Sequence, residues 1–528
     1  MLCQNWGVTR PNVVLIITDQ HRLDHTGFGG NPVVQTPHLD ALAARSTSFT
    51  EAFAANPICM PNRATLLTGR MPSAHGTRCN GITLDWDAST CVRQLRHAGY
   101  RTGLVGKAHF QNMGAVPELT AFVRDGLAEP DASVRVRPDG WDLLEDGERY
   151  RAGPVELPDD FYGFEHVELT VGHADVVSGH YVHWLVENGI DPGLVQGPDA
   201  ALERSDRWWQ IWKPALPAEM HPSTYVGRRS QAFIEDAAGS DDPFFLQVSF
   251  PDPHHPFAPP GEYWSMYDPA DIVLPASFDD PHETSLRHLK AWRATRGETP
   301  PLIPVVPFSP TEEEFREAAA KEYGSITLID RVVGDVLETL AETGQADDTI
   351  VIFTSDHGEM FGDHGLMLKG AMHYRPALQV PLLVSQPGQV TGQESSSLVG
   401  SIDVAQTILD LCGAEAYEGM QGHSLRPVLD DPTVSLREHI LVEEDEPFDL
   451  ARLGQPLRMR TLISAEGRLS IYRGSDQGEL FALDEDPDEM VNRYADPGAA
   501  ALRADLFERL AVEQMVLSDT GTTPTSTA

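Results

Sequence analysis

The sequence predicts an α/β protein built on a largely parallel sheet, and two observations carry that expectation. Short apolar runs at residues 13–18, 102–105, 244–250, 349–354 and 381–384 stop abruptly in polar or glycine-rich segments. Strands buried on both faces read this way when they deliver loops to one edge of a sheet. Between the runs lie helical patterns, so strand and helix alternate along the chain. Thr36 and Pro37, followed by Leu39, Leu42 and Ala43, read as an N-cap, a first-turn proline and an apolar face. Residues 312–342 carry Tyr323, Ile326, Ile329, Val333, Val336, Leu337 and Leu340 at helical spacing, the pattern of a long helix lying against a sheet.

Residues 112–235 and 258–312 are rich in Pro, Asp, Gly and Trp and weakly periodic, so they are expected to be insertions, with the tryptophans packing loops onto the body. Beyond residue 430 the pattern changes to short segments at 440–442, 460–463, 469–472 and 479–482, then a helix near 499–516. The expected division is a catalytic α/β domain over 1–430 and a smaller α+β subdomain, an antiparallel sheet plus a helix, over 431–528. Its tail from residue 518 is expected to be disordered.

Composition narrows the function. A chain of 528 residues with 41% hydrophobic and 22% charged content buries a large core. With 39 Lys+Arg against 79 Asp+Glu, its formal charge of −40 repels nucleic acid and anionic membranes, so neither is an expected partner. Any local cluster of Lys, Arg and His is then informative. No run approaches the length of a membrane span, and the N-terminal residues do not follow the order of a secretion signal. Cys3, Cys59, Cys79, Cys91 and Cys412 are few and odd in number, which suits a reducing, cytoplasmic setting.

The polar residues that carry chemistry fall just past four of the expected strands. These are Asp19 and Gln20, Gly106 to His109, Pro253 to Pro256, and Asp356 with His357. Open α/β sheets place their sites at such carboxyl ends. Taken singly, an Asp-Gln or Asp-His pair is usually a turn or cap; their joint placement is what points to a site. Asp19, Gln20, Asp356 and His357 offer two carboxylates, an amide oxygen and an imidazole, a set suited to one divalent ion such as Ca²⁺ or Mn²⁺. Pro61 suits a first helical turn, so Cys59 is expected at a helix N-terminus, where an ordinary cysteine would be an activated thiolate. The other cysteines are read as buried apolar residues.

The run Cys59-Met60-Pro61-Asn62-Arg63 resembles the CxPxR signature of type I sulfatases, in which the cysteine is oxidised to formylglycine (3-oxoalanine); Asn62 stands where Ser or Ala is common. Gly106-Lys107-Ala108-His109 is similar to the GKxH element of that family, Pro253 to Pro256 to its PHxP element, and Asp356 to Lys369 to its DxGxxxGxHGxxxK element. Asp403 to Ile408 and Glu479 to Leu483 resemble later landmarks, so the resemblance spans nearly the whole chain. It implies the alkaline-phosphatase-like fold, a mixed central sheet flanked by helices.

The resemblance also implies roles. Asp19, Gln20, Asp356 and His357 would hold the metal, and Cys59 as formylglycine hydrate would supply the nucleophilic hydroxyl. Arg63 and His109 would position and activate it. Lys107, His254 and Lys369 would clamp the sulfate, with His254 or Lys369 protonating the leaving alcohol, and Asn80 would add a substrate contact. A gem-diol carries a second hydroxyl through which sulfate can be expelled, which serine and cysteine lack. The implied partners are a sulfated small molecule or carbohydrate and a formylglycine-generating enzyme, with homo-oligomerisation left open. Gln20 and His357 stand where many arylsulfatases have Asp and Asn, and are similar to the pair in phosphonate monoester hydrolases. The pair Lys107 and His109 belongs to sulfatase sites, so a sulfatase is the first expectation and a phosphonate monoester or phosphodiester hydrolase the second.

Overall fold

In a computed structural model, residues 10–114, 139–303 and 305–521 are described. The expected tail therefore falls mostly outside them. A nine-stranded mixed sheet organises the catalytic region. In chain order its strands are β1 (Asn12–Asp19), β2 (Thr47–Phe49), β3 (Arg101–Gly106), β4 (His166–Val171), β5 (Ser178–Gly179), β6 (Phe244–Pro253), β7 (Thr349–Ser355), β8 (Leu382–Ser385) and β9 (Gln393–Ser395). Across the sheet they run β9-β2-β8-β7-β1-β6-β3-β4-β5.

The central five, β7, β1, β6, β3 and β4, are parallel throughout. Val13, Val14, Leu15 and Ile16 are at most 2% exposed, because both faces of the sheet are covered. All five chain segments expected to be strands are strands. The register pairs Thr18 with Ser355, Asp19 with Pro253, and Gly106 with Ser249, which brings the ends of β1, β3, β6 and β7 level at one edge.

Helices α1 (Pro37–Ala43), α2 (Cys59–Thr68), α3 (Cys91–His97), α4 (Pro222–Ala237), α5 (Glu312–Glu342) and α6 (Ile402–Leu411) pack around the sheet. Helix α5 opens with a capping box, Thr311 on the Glu314 amide and Glu314 back on the Thr311 amide. Helix α1 departs from expectation. Thr36 occupies the N-cap position but its side chain makes no cap bond. Its hydroxyl accepts from Gly27 N–H and donates to Asp40, and Asp330 of α5 accepts the first-turn amides of His38 and Leu39 instead. A tertiary carboxylate has taken the role of a local one.

The reading of residues 112–235 as insertion is corrected in part. They hold β4, which pairs in parallel with β3, and α4, which packs on β6 and α5. The outermost strand pairs hide a parallel strand whose sequence, His166 to Val171, is only half apolar because its first residues are half-buried. Trp208, Trp212, Trp264 and Trp292 do pack inward, as expected of loop tryptophans.

Beyond residue 430, β10 (His439–Asp445), β11 (Arg458–Ser464), β12 (Gly467–Tyr472) and β13 (Gly478–Ala482) form an antiparallel meander backed by α7 (Ala500–Val516). Leu441, Leu462, Leu469 and Leu480 share one apolar cluster with Ala55, Met71 and Ile402. The small sheet is thus fastened to the segments that carry α2. Among the described residues, no helix is long and apolar enough to cross a membrane.

Candidate active site

Residue 59 is where the sheet edge and a helix meet. Cys59 begins α2, all of whose residues are buried, and Gly69 closes the helix in the left-handed conformation. The Sγ atom lies 3.1 Å from His357 Nε2, 3.7 Å from Lys369 Nζ and 3.9 Å from Asp19 Oδ1. It points at the polar edge of the sheet and not into the apolar interior. Asn80, itself exposed, accepts the Met60 N–H at 3.2 Å, bracing the first turn.

Arg63, one turn on, is 2% exposed and spends its guanidinium on the metal-type carboxylates. Its Nε donates to Asp356 Oδ2 at 2.7 Å and Nη2 to Asp19 Oδ2 at 3.2 Å. Nη1 donates to the Lys107 carbonyl at 3.0 Å and Ser249 Oγ at 2.8 Å. These bonds bracket β1, β3, β6 and β7. Lys107, fully buried, donates to Asp19 Oδ2 and lies 2.7 Å from His173 Nε2. Gly106 makes that approach feasible: its φ is +112°, and a Cβ there would lie 1.8 Å from the Ser249 carbonyl oxygen.

Tautomers follow from carbonyl partners, which only accept. His357 donates Nδ1–H to the Gly358 carbonyl at 2.9 Å, so its Nε2 lone pair faces the cluster. His254 donates Nδ1–H to the His255 carbonyl, so its Nε2 is an acceptor 3.1 Å from Lys369 Nζ. The Gln20 amide hydrogen-bonds His255 Nδ1 at 3.2 Å through Nε2, which turns Oε1 towards Lys369 at 2.7 Å. His109 is buried with Nδ1 unpartnered.

Charge explains the protonation states. Burial would raise the Asp19 carboxyl, but Lys107 and Arg63 outweigh it and hold the group well below its ordinary value. Burial lowers His357 to about 4, and burial with His173, His255 and Lys369 nearby lowers His254 well below its usual value. Neutral imidazoles are what metal ligation requires. Burial also pushes the Cys59 thiol up, and Lys369 does not offset it. This corrects the expectation of an activated thiolate, since desolvation, with Asp19 and Asp356 beside it, outweighs Lys369 and Lys107.

The ligand-type atoms of Asp19, Cys59, Asp356 and His357 all lie within 4.8 Å of one another. That convergence, with the Gln20 oxygen and the His357 lone pair turned inward, fits a divalent ion held by Asp19, Gln20, Asp356 and His357. All eleven residues singled out by sequence gather around this edge except that Asn80 stands at its exposed rim.

His173 was missed. It follows β4, stacks on His254 with ring centroids 3.8 Å apart, and lies 3.9 Å from Asp19. A strand-end search that had admitted β4 would have found it. His75 meets Thr65 Oγ1 at 3.1 Å and braces α2. His364 and His373 pair with Asp280 and Glu444, and Arg22 with Asp24 and Asp363.

A model of the sulfatase family matches residues 11–133 and 159–414. The chain belongs to the sulfatase family. It is thereby a sulfuric ester hydrolase. A second model, the C-terminal region of N-sulphoglucosamine sulphohydrolase, matches residues 362–515. An arylsulfatase of Clostridium perfringens is 27% identical over 92% of this chain and 90% of its own length. The multifunctional alkaline phosphatase superfamily protein PehA of Trinickia caryophylli is 29% identical over 95% of each chain. Among solved structures, the phosphonate monoester hydrolase SpPMH of Silicibacter pomeroyi superposes with a TM-score of 0.76 at 26% identity over 96% of both chains. The convergence of ligand-type atoms around Cys59 makes this buried edge the candidate active site.

Proposed function

We propose that this sulfatase hydrolyses a sulfate monoester of a small molecule or carbohydrate to the alcohol and sulfate, with residue 59 in its formylglycine form and one divalent metal ion. The observation that carries the reading is the seat of Cys59: a buried helix start facing His357, Lys369 and Asp19 within 3.9 Å. Formylglycine hydrate would supply the nucleophilic hydroxyl there. Asp19, Gln20, Asp356 and His357 would hold the metal, which supplies Lewis acidity and favours a deprotonated nucleophile. Two carboxylates with an imidazole favour Mn²⁺ over Ca²⁺.

The remaining steps belong to the side chains. Lys107, Lys369 and Arg63 place three cations around two carboxylates, an excess that suits an anionic ester and the charge that builds on its oxygens. Lys369 is the proton donor to the leaving alcohol, because His254 Nε2 is an acceptor and receives from Lys369. His109, with its unpartnered Nδ1, is the base beside the hydrate. Asn80 lines the rim and adds a substrate contact.

Cys59 is 3% exposed, so the formylglycine-generating enzyme acts on it before folding is complete. The four cysteines among the described residues are buried and form no disulfide, which suits a reducing cytoplasm. Mass analysis of the Cys59 peptide from the native host tests the central claim: a loss of about 18 Da marks formylglycine. An unmodified cysteine there in active enzyme refutes it. The second reading, a phosphonate monoester or phosphodiester hydrolase at the same site, is favoured by Gln20 with His357 and by the likeness to SpPMH. The ratio of kcat/KM for an aryl sulfate and an aryl phosphonate ranks the two.

A further inference from the structure

Three consecutive backbone amides at the end of β3 converge on one side chain. His109 N–H donates to Glu145 Oε2 at 2.5 Å, and Phe110 and Gln111 N–H donate to Oε1 at 2.9 Å each. Successive amides turned to one side form an anion-binding nest, and here an internal carboxyl group fills it, pushed up to about 7 by burial against the pull of the three N–H bonds. Glu145 is 1% exposed. The nest exists because His109 has φ +55°, a left-handed conformation that a residue with a Cβ rarely adopts and that needs support from its surroundings.

The two segments are stitched elsewhere as well. Gln111 Oε1 accepts Leu144 N–H at 2.9 Å, and its Nε2 donates to the Trp141 carbonyl at 2.7 Å. Tyr150 holds the Leu144 carbonyl at 2.9 Å, and Gly147 N–H meets the Met113 carbonyl at 3.1 Å. These bonds fix where the segment lies, but the left-handed turn is gripped by the Glu145 carboxylate. Without it, three buried N–H groups lose their acceptor, and the chain is freed to relax towards an ordinary φ that swings the imidazole of His109. The sulfatase family match stops at 133 and resumes at 159, so Glu145 lies in the gap between its two parts.

We infer that Glu145 is a positioning residue for the reaction: it clamps the strained turn so that the His109 imidazole, with its buried unpartnered Nδ1, is held in the site. The inference rests on His109 acting in the hydrolytic site as proposed above. It requires no direct contact between Glu145 and substrate.

The test is a double-mutant cycle in the mature, full-length enzyme. Glu145→Ala is expected to lower kcat by about 100-fold, the order of loss that a misplaced catalytic group causes, with KM changed by less than about threefold. Glu145→Gln keeps one carbonyl oxygen and is expected to recover about tenfold of that loss. In a His109→Ala background the same substitutions should cost less than about twofold more, because the clamp has nothing left to position. Amide hydrogen exchange should quicken at residues 109–111 in both Glu145 variants.

Additive losses in the His109→Ala background overturn the inference, as does unchanged kcat or unchanged exchange at 109–111. If Glu145→Ala does not fold, the Gln variant runs the same cycle. Each variant is assayed on an aryl sulfate and an aryl phosphonate. A wild-type enzyme inactive on sulfate refutes the sulfatase reading, while the cycle on the phosphonate and the exchange data still judge Glu145.

Discussion

Arg63 and Arg468 are both buried, at 2% and 1% exposure, and each sits among two carboxylates. Arg63 meets Asp356 and Asp19; Arg468 meets Glu489 and, at 3.7 Å, Glu479. What surrounds them differs. The Arg468 guanidinium lies between aromatic faces, 4.9 Å from the Tyr374 ring centre and 4.6 Å from that of Phe481, and Tyr472 donates to Glu479 at 2.8 Å. Around Arg63 the neighbours are lysines, lone pairs of neutral histidines and a cysteine. Burial of charge alone therefore does not mark a reactive centre. Ligand-type atoms that converge on one point do, as those of Asp19, Cys59, Asp356 and His357 do within 4.8 Å, because an ion can complete them. Unpartnered polar atoms do not, since Arg468 Nη2 and Glu479 Oε1 are buried without a partner as well.

The contrast is broken most directly at residue 59. Cys59→Ala is expected to lower kcat/KM by about 10³-fold or more while thermal stability stays near wild type. A residual rate within tenfold of wild type would mean that the reactive group lies elsewhere. Arg468→Met is expected to do the reverse. It leaves buried Glu489 without its cation and costs on the order of 3–5 kcal/mol of stability, read from denaturant unfolding, with kcat unchanged in the fraction that stays folded. If kcat falls in step with that loss, the two centres are coupled and the distinction fails.

Lys107→Ala sharpens the comparison at the reactive side. Removing a buried cation that, in the proposed mechanism, clamps the ester oxygens should cost about 10²–10³ in kcat. Asp330→Asn probes a buried carboxylate that makes no ion pair with Lys or Arg among the described residues, has only His38 as a neighbouring basic group, and serves a helix. Burial raises Asp330 from 3.8 to about 6, so its protonated form is the one the fold favours. Wild type is then favoured below pH 3.8, and that advantage is lost as pH rises through about 6. Relative to Asp330→Asn, wild type should lose up to about 3 kcal/mol across that window. A difference independent of pH would refute it. The smallest effect is expected for His173→Ala, about tenfold in kcat, through loss of support for Lys107 and His254.

Much of this was legible before any coordinates. The strands are buried on both faces, so they read as unbroken apolar runs, and their ends were marked by the polar residues that follow. Asp19, Asp356, His357, Lys107 and His254 were found for that reason. Residues 439–482 were legible as short strands because an antiparallel meander needs only local turns. Other features were not. His173 follows a strand whose first half is only partly buried, so it carried no signal. The bonds of Arg63 were not legible either, because the sequence places it one turn after Cys59 but does not give the carboxylates that its guanidinium meets. Asp330 caps a helix nearly three hundred residues away, and Glu145 grips a turn 34 to 36 residues before it.

The sequence by itself determined the periodicities, the strand ends and the chemical kinds of group brought to the edge of the sheet, because these depend on residues adjacent in the chain. Only the tertiary structure decided which donor meets which acceptor, which imidazole nitrogen keeps its lone pair, and that the Cys59 thiol is raised and not lowered. Those outcomes are set by burial and by partners distant in sequence, and desolvation has no local signature.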